Sequence, residues 1–184
     1  MKILGIDPGS RSAGWALIEV NGRKINFLDS GTLKYAKIDN FVDRLGVIYD
    51  SINTLMLEHR PDEVSIEALI FVKSVSSLAK LAQARGAMVA AIVQTRKGKV
   101  FEYAPNLIKS TISGYGHADK AAIDKTLQMI FGELKFGSHD ESDALAIALC
   151  HALNSGKQLS TKTTGRPSKG RTLKSVFKHK ERTT

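Results

Sequence analysis

Apolar positions fall in short runs through the first 35 residues and then change period. Residues 2–7 form an apolar run that ends in an acid, and a Pro8-Gly9-Ser10 turn separates it from a second run at 14–20. Asn21-Gly22 is a hairpin signal, and a third strand is predicted over 25–35. From 41 to 59 the apolar residues Leu45, Ile48, Ile52, Leu55 and Met56 recur at helical spacing until Pro61-Asp62 breaks the pattern. Residues 64–68 then predict a buried strand, 74–97 a long Ala- and Leu-rich helix interrupted by Gly86, and 100–103 a fifth strand. A helix opened by Pro105 covers 105–113. After a loop at 114–117 come helices at 118–131 and 140–154, the last turning Leu145, Ile147, Ala148 and Leu149 inward. Three antiparallel strands followed by alternating helices and strands predict a mixed α/β layer fold, with no internal repeat.

Length and composition narrow the class. At 184 residues and 42% hydrophobic content, the chain is one domain with at most a small appendage. A single cysteine, Cys150, excludes an internal disulfide framework and a multi-cysteine zinc site, and reads as a small buried hydrophobe. The longest uncharged apolar run, residues 87–93, is too short to span a bilayer, and an acid at position 7 argues against a secretory signal. The expectation is a cytoplasmic, reduced protein with no membrane partner.

Charge divides the chain in two. The formal net charge is +9, yet residues 1–150 carry 18 Lys/Arg against 17 Asp/Glu, while residues 151–184 carry nine Lys/Arg and only Glu181. Two units are therefore expected, a body at 1–155 and a basic tail at 156–184. The tail's Ser, Thr, Gly and Lys content leaves too little apolar surface to offset the entropy of ordering, so it is expected to be disordered. It is either a solubilising extension or, as its one-sided sign favours, an arm that tethers the protein to a polyanion.

Several acids sit in apolar or turn-like surroundings. Asp7 ends the first strand, Glu67 interrupts Val-Ser-Ile-Glu-Ala-Leu-Ile, and Asp140 and Asp143 share a face at the start of the last helix while Glu141 points elsewhere. Each has an ordinary explanation. Asp7 suits a turn, Glu67 a water-facing edge strand, Asp140 an N-cap and Asp143 a first helical turn. If the first and fourth strands are neighbours and the last helix crosses them, however, the four converge. Clustered carboxylates repel and tend to protonate unless a cation offsets them, and oxygen-only ligands select Mg²⁺ or Mn²⁺. Two such ions about 4 Å apart are the equipment for phosphodiester hydrolysis.

The runs Ile-Leu-Gly-Ile-Asp-Pro-Gly-Ser-Arg at 3–11, Ile66-Glu67, Gln-Ala-Arg-Gly at 83–86, Phe-Glu-Tyr-Ala at 101–104, Gly-Tyr-Gly-His-Ala-Asp-Lys at 114–120 and Asp-Glu-Ser-Asp-Ala-Leu-Ala-Ile-Ala at 140–148 occur in this order. Together they resemble the RuvC-type Holliday-junction resolvases over about residues 1–155. The resemblance implies a ribonuclease H-like catalytic domain with a mixed five-stranded sheet. It implies a homodimeric, Mg²⁺-dependent crossover junction endodeoxyribonuclease with two ions per site. Such an enzyme uses metal-activated water to nick a four-way DNA junction symmetrically, in recombination and repair, and works with a RuvA–RuvB branch-migration complex. By position Asp7, Glu67, Asp140 and Asp143 match the family's catalytic, metal-holding acids, and Lys109 and Lys120 its basic residues beside the scissile phosphate. Lys73, Ser74 and Arg85 match positions near the DNA-binding face, where Phe71 is a candidate to stack on bases. One departure stands out: Ile70 occupies the place of the family's stacking Phe, with Phe71 one residue later. His117 and His139 flank these motifs as bystanders, and Trp15 reads as core.

Two rival readings are a non-cleaving binder of branched DNA and an actin-like or sugar-kinase-like ATPase. A pure binder gains nothing from acids at the centre of its groove. The ATPases clasp nucleotide between two such domains, and no second phosphate-loop segment is visible here.

Overall fold

The computed structural model describes residues 1–69, 74–114, 116 and 119–155. Phe71, Lys73, His117 and the basic tail lie outside these described residues. Five strands, β1 (Lys2–Asp7), β2 (Ser12–Asn21), β3 (Lys24–Lys34), β4 (Glu63–Glu67) and β5 (Val100–Tyr103), form one sheet in the order β3-β2-β1-β4-β5. The first three are antiparallel neighbours, whereas β1–β4 and β4–β5 are parallel. The hairpin turn falls on Gly22 and Arg23, one residue beyond the Asn-Gly signal, because Asn21 still pairs with Lys24 and Gly22 takes φ 61°. Helices α1 (Phe41–His59), α2 (Val75–Thr95), α3 (Pro105–Ser113), α4 (Lys120–Phe131) and α5 (His139–Asn154) complete the chain. The fourth strand is interior, so Glu67 is not an edge-strand acid.

Strand periodicity sorts the core into two faces. Leu4, Ile6, Leu17, Val64 and Ile66 pack against Ile48, Ile52, Met88 and Ile92 of α1 and α2. Ile3, Ala16 and Ile18 pack on the other face against Leu145, Leu149, Ile108 and Leu127 of α5, α3 and α4. The sheet is thus covered on both sides, as its parallel half requires. Cys150 is fully buried on α5, as expected. Trp15 departs from its core reading: it is only half-buried, at the margin of the α1 side, with its ring 4.8 Å from that of His59.

Helix α5 lies unusually close to the strands. A Cβ on Gly5 would run into the Ala144 carbonyl, and one on Gly14 into the Asp140 carbonyl, so glycine is what permits this approach. The far end of α5 is pinned by His151, which is 1% exposed and lies between the Tyr103 hydroxyl at 2.7 Å (Nδ1) and Glu63 Oε2 at 2.8 Å (Nε2). Burial lowers the His151 pKa, only partly offset by its bond to Glu63. Burial alone would raise Glu63, but its hydrogen bonds with His151 and Lys99 hold it below the ordinary range. This cluster leaves few options for the helix to slide.

Candidate active site

The period-2 rule that builds the core also aims the acids. Gly5 and Asp7 share the β1 face toward α5, as Ser65 and Glu67 share that of β4, whose Ser65 Oγ donates to the Ile147 carbonyl of α5 at 3.3 Å. Ile6 pairs with Ile66, so Asp7 and Glu67 leave adjacent strands at equivalent positions. Asp7 pairs with Gly14, over which Asp140 sits. The site therefore stands at the C-terminal ends of β1 and β4, under the first turn of α5.

Electrostatics show how closely the four acids converge. The Asp7 carboxyl is raised from an ordinary 3.8 to about 7, chiefly by burial and then by repulsion from Glu67, Asp143 and Asp140, with Lys120 opposing. Burial, then Asp143, raises Glu67, and Lys109 opposes. Both expected lysines are thus within electrostatic reach of the acids. Lys120 Nζ ion-pairs with Asp143 Oδ2 at 2.9 Å, and Lys109 and Lys120 line a cavity of about 310 Å³ with Glu67 and Asp143.

Asp140 is not the N-cap. Helix α5 begins one residue earlier, at His139 with Ser138 as cap, and Asp140 Oδ2 instead accepts from Ser12 Oγ at 2.8 Å. Among the described residues no three acidic, histidine or cysteine side chains stand ready to hold an ion as they are oriented. The donor set nevertheless fits a hard divalent cation in kind: it is all carboxylate oxygen, and burial together with its self-repulsion raises the Asp7 carboxyl. Binding would require side-chain rotations about Cα positions already gathered.

Two residues have parts that the sequence does not announce. Glu141, the acid that points elsewhere, is 8% exposed and reaches β3, where it accepts from Ser30 Oγ at 3.0 Å, Thr32 Oγ1 at 3.1 Å and the Gly137 N–H at 3.3 Å. It ties the start of α5, and with it Asp140 and Asp143, to the hairpin. Arg85, expected on the DNA-binding face, has a side chain only 12% exposed; its Nε donates to the Glu67 carbonyl at 3.1 Å and its Nη2 pairs with Glu102 Oε2 at 2.9 Å. Its guanidinium supports the end of β4 that carries Glu67. The only signal for either was an acid and a cation set among small residues. Ser74 caps α2 by accepting from the Ser77 N–H at 3.2 Å and remains exposed.

Comparison with known proteins agrees with this fold. The family described as crossover junction endodeoxyribonuclease RuvC matches residues 3–151. The chain belongs to the RuvC family. RuvC of Agrobacterium fabrum is 39% identical over 157 residues, covering 85% of this chain and 91% of that protein. RuvC of Trichlorobacter lovleyi is 38% identical over 82% of this chain and 84% of its own. The Thermus thermophilus RuvC structure in complex with Holliday junction substrate superposes with a TM-score of 0.77 at 29% identity, covering 84% of this chain and 94% of that one. The fowlpox virus resolvase bound to Holliday junction DNA shares the fold alone, with a TM-score of 0.52 at 14% identity. The RuvC match spans every strand, and with it the mixed five-stranded sheet expected from the sequence.

Proposed function

We propose that this chain is a crossover junction endodeoxyribonuclease that resolves four-way DNA junctions in recombination and repair. The observation that carries the reading is the gathering of Asp7, Glu67, Asp140 and Asp143 at the ends of β1 and β4, where burial first and their mutual repulsion second lift Asp7 to about 7. Those four carboxylates would hold Mg²⁺, with Mn²⁺ as a substitute and two ions per site. Bound there, the ions would activate the attacking water and steady the charge on the leaving 3′ oxygen.

The chain's own residues do the rest. Burial and the neighbouring carboxylates hold the Asp7 carboxyl at about 7, and a cation beside it would favour the charged form. Lys120 Nζ, now on Asp143, is placed to exchange that carboxylate for a phosphate oxygen, and Lys109 offers a second charge beside Glu67. Cations at these positions stabilise negative charge as it builds on the phosphate. Glu141 and Ser12 hold the α5 carboxylates in register while this happens.

A four-way junction has two equivalent strands to cut, so a two-fold dimer supplies two equivalent sites. The outer face of α2 suits that contact, since Ala79, Ala82, Gly86, Ala90 and Val93 form one exposed stripe of small and apolar residues. Partnership with a RuvA–RuvB complex, a cytoplasmic location and a polyanion-tethering role for the tail belong to the same reading. Among the described residues no helix is long and apolar enough to cross a membrane.

The test is a cleavage assay with and without Mg²⁺ on a mobile four-way junction, a duplex and single strands. Paired nicks on the junction alone are expected. Tight junction binding with no nicking at any metal concentration would favour the structural binder. The ATPase alternative is not favoured.

A further inference from the structure

On the opposite flank of Asp7 from the Lys109–Lys120 cavity, a second groove of about 830 Å³ runs along the end of the β2–β3 pair. Its lining includes Arg11, Ser12, Thr32, Lys34, Lys37 and Asp140. The sheet order sets this arrangement: β2 and β3 lie on one side of β1, β4 and its Glu67 on the other. Asp140, at the inner end, is fixed there by Ser12.

Arg11, Lys34 and Lys37 are all exposed, and among the described residues none of them pairs with a carboxylate. Lys99 and Lys120, by contrast, are both engaged in ion pairs. Like charges gathered in one concavity focus a field that raises the local concentration of a polyanion. Beside a site whose own acids repel phosphate, such a cluster offsets the repulsion.

We propose that this groove is a phosphate-binding track for the DNA flanking the cut. The nucleic-acid backbone would run from Arg11, Lys34 and Lys37, over the acids, to Lys109 and Lys120. The inference rests on the nuclease reading and adds to it a route across the protein. Contacts of this type set the position of the duplex and carry no sequence information, so the track serves every junction equally. The Ser12 and Thr32 hydroxyls lie along the same wall but are already donating to Asp140 and Glu141, so the charge on the track comes from its three cations.

The experiment uses the full chain carrying Arg11→Gln, Lys34→Gln and Lys37→Gln together. Junction binding is followed in EDTA, where no cutting occurs, across a series of KCl concentrations, with the thermal midpoint confirming that the variant folds. Each lost phosphate contact should flatten the log Kd against log salt slope by about 0.9, so a change of about 2 to 3 is expected, with affinity about tenfold weaker or more. The comparison variant is Arg23→Gln with Lys24→Gln, which removes charge at the far tip of the same hairpin and should leave the slope unchanged. A triple variant with the wild-type slope overturns the proposal, as does a tip variant that flattens it equally per charge. If the triple variant folds poorly, Lys34→Gln and Lys37→Gln singly should each flatten the slope by about 0.9, and no change in either has the same overturning force. Wild-type protein that binds but never cuts would sink the nuclease reading and leave the track. Wild-type protein that cuts normally alongside an unaltered triple variant would do the reverse.

Discussion

At the scale of single residues, the energetic cost of the site is concentrated on Asp7. Its folded-state pKa of about 7 lies above the ordinary 3.8, so between those values the folded protein binds more protons than the unfolded chain. The sign follows: the contribution to stability is complete below about pH 4 and is lost as pH rises through 7. Asp7→Asn should therefore abolish nicking, at least 100-fold, while junction binding stays intact or tightens. In EDTA at pH 8 the same variant should melt above the wild type, by an amount on the order of a few kcal/mol in stability, and Mg²⁺ should narrow the gap. Wild-type cutting by Asp7→Asn would remove Asp7 from the metal set. Glu141 works by a different route, since Glu141→Ala strands the Ser30 hydroxyl and the Gly137 N–H and leaves Thr32 only its bond to Ser138. A loss of about 1–3 kcal/mol is expected by denaturant titration, with cleavage falling further than binding.

Between secondary-structure elements, the decisive quantity is the separation of α5 from β1 and β2. Two glycines set it, and the helix carries two of the four acids at the end nearest Gly14. Gly14→Ala should push the start of α5 away from the sheet, at a cost of about 1–3 kcal/mol by thermal unfolding and a disproportionate fall in cleavage. An active Gly14→Ala variant of normal stability would mean that the helix can retreat without moving the acids. Much of this level was legible in advance. Element order, the helical spacing of 41–59 and the three-strand opening could all be read from local pattern, because each depends on residues a few positions apart. Given adjacent strands, period 2 alone puts Asp7 and Glu67 on one face. The cap of α5 is Ser138, two residues before the Asp140 that the sequence suggests, and the Asp140 carboxylate is engaged by Ser12 instead.

For the molecule as a whole, the proposed function calls for a second copy and a long anionic substrate. Ala90→Arg, in the middle of the exposed α2 stripe, should give monomers by sedimentation that nick one strand of a junction without the matching second cut. A dimer surviving this change would move the interface elsewhere. Deleting residues 157–184, which removes nine Lys/Arg and one Glu, should weaken junction binding and flatten its salt dependence. An unchanged salt slope would make that segment a solubility device.

Local pattern along the chain was enough to establish the strands and helices, the candidate acids and the segregation of positive charge, because propensity, periodicity and formal charge are properties of neighbouring residues. Only the tertiary structure could decide that Glu141 is an anchor and that Arg85 braces the Glu67 strand. Only there does Arg11 come to share a groove with Lys34 and Lys37. Those roles depend on partners brought together by sheet order and helix docking: Ser30 and Thr32 lie more than a hundred positions before Glu141, and Arg85 reaches back across a helix. A buried carboxylate and a solvated one are the same letter in a sequence; the difference is the set of donors that folding carries to it.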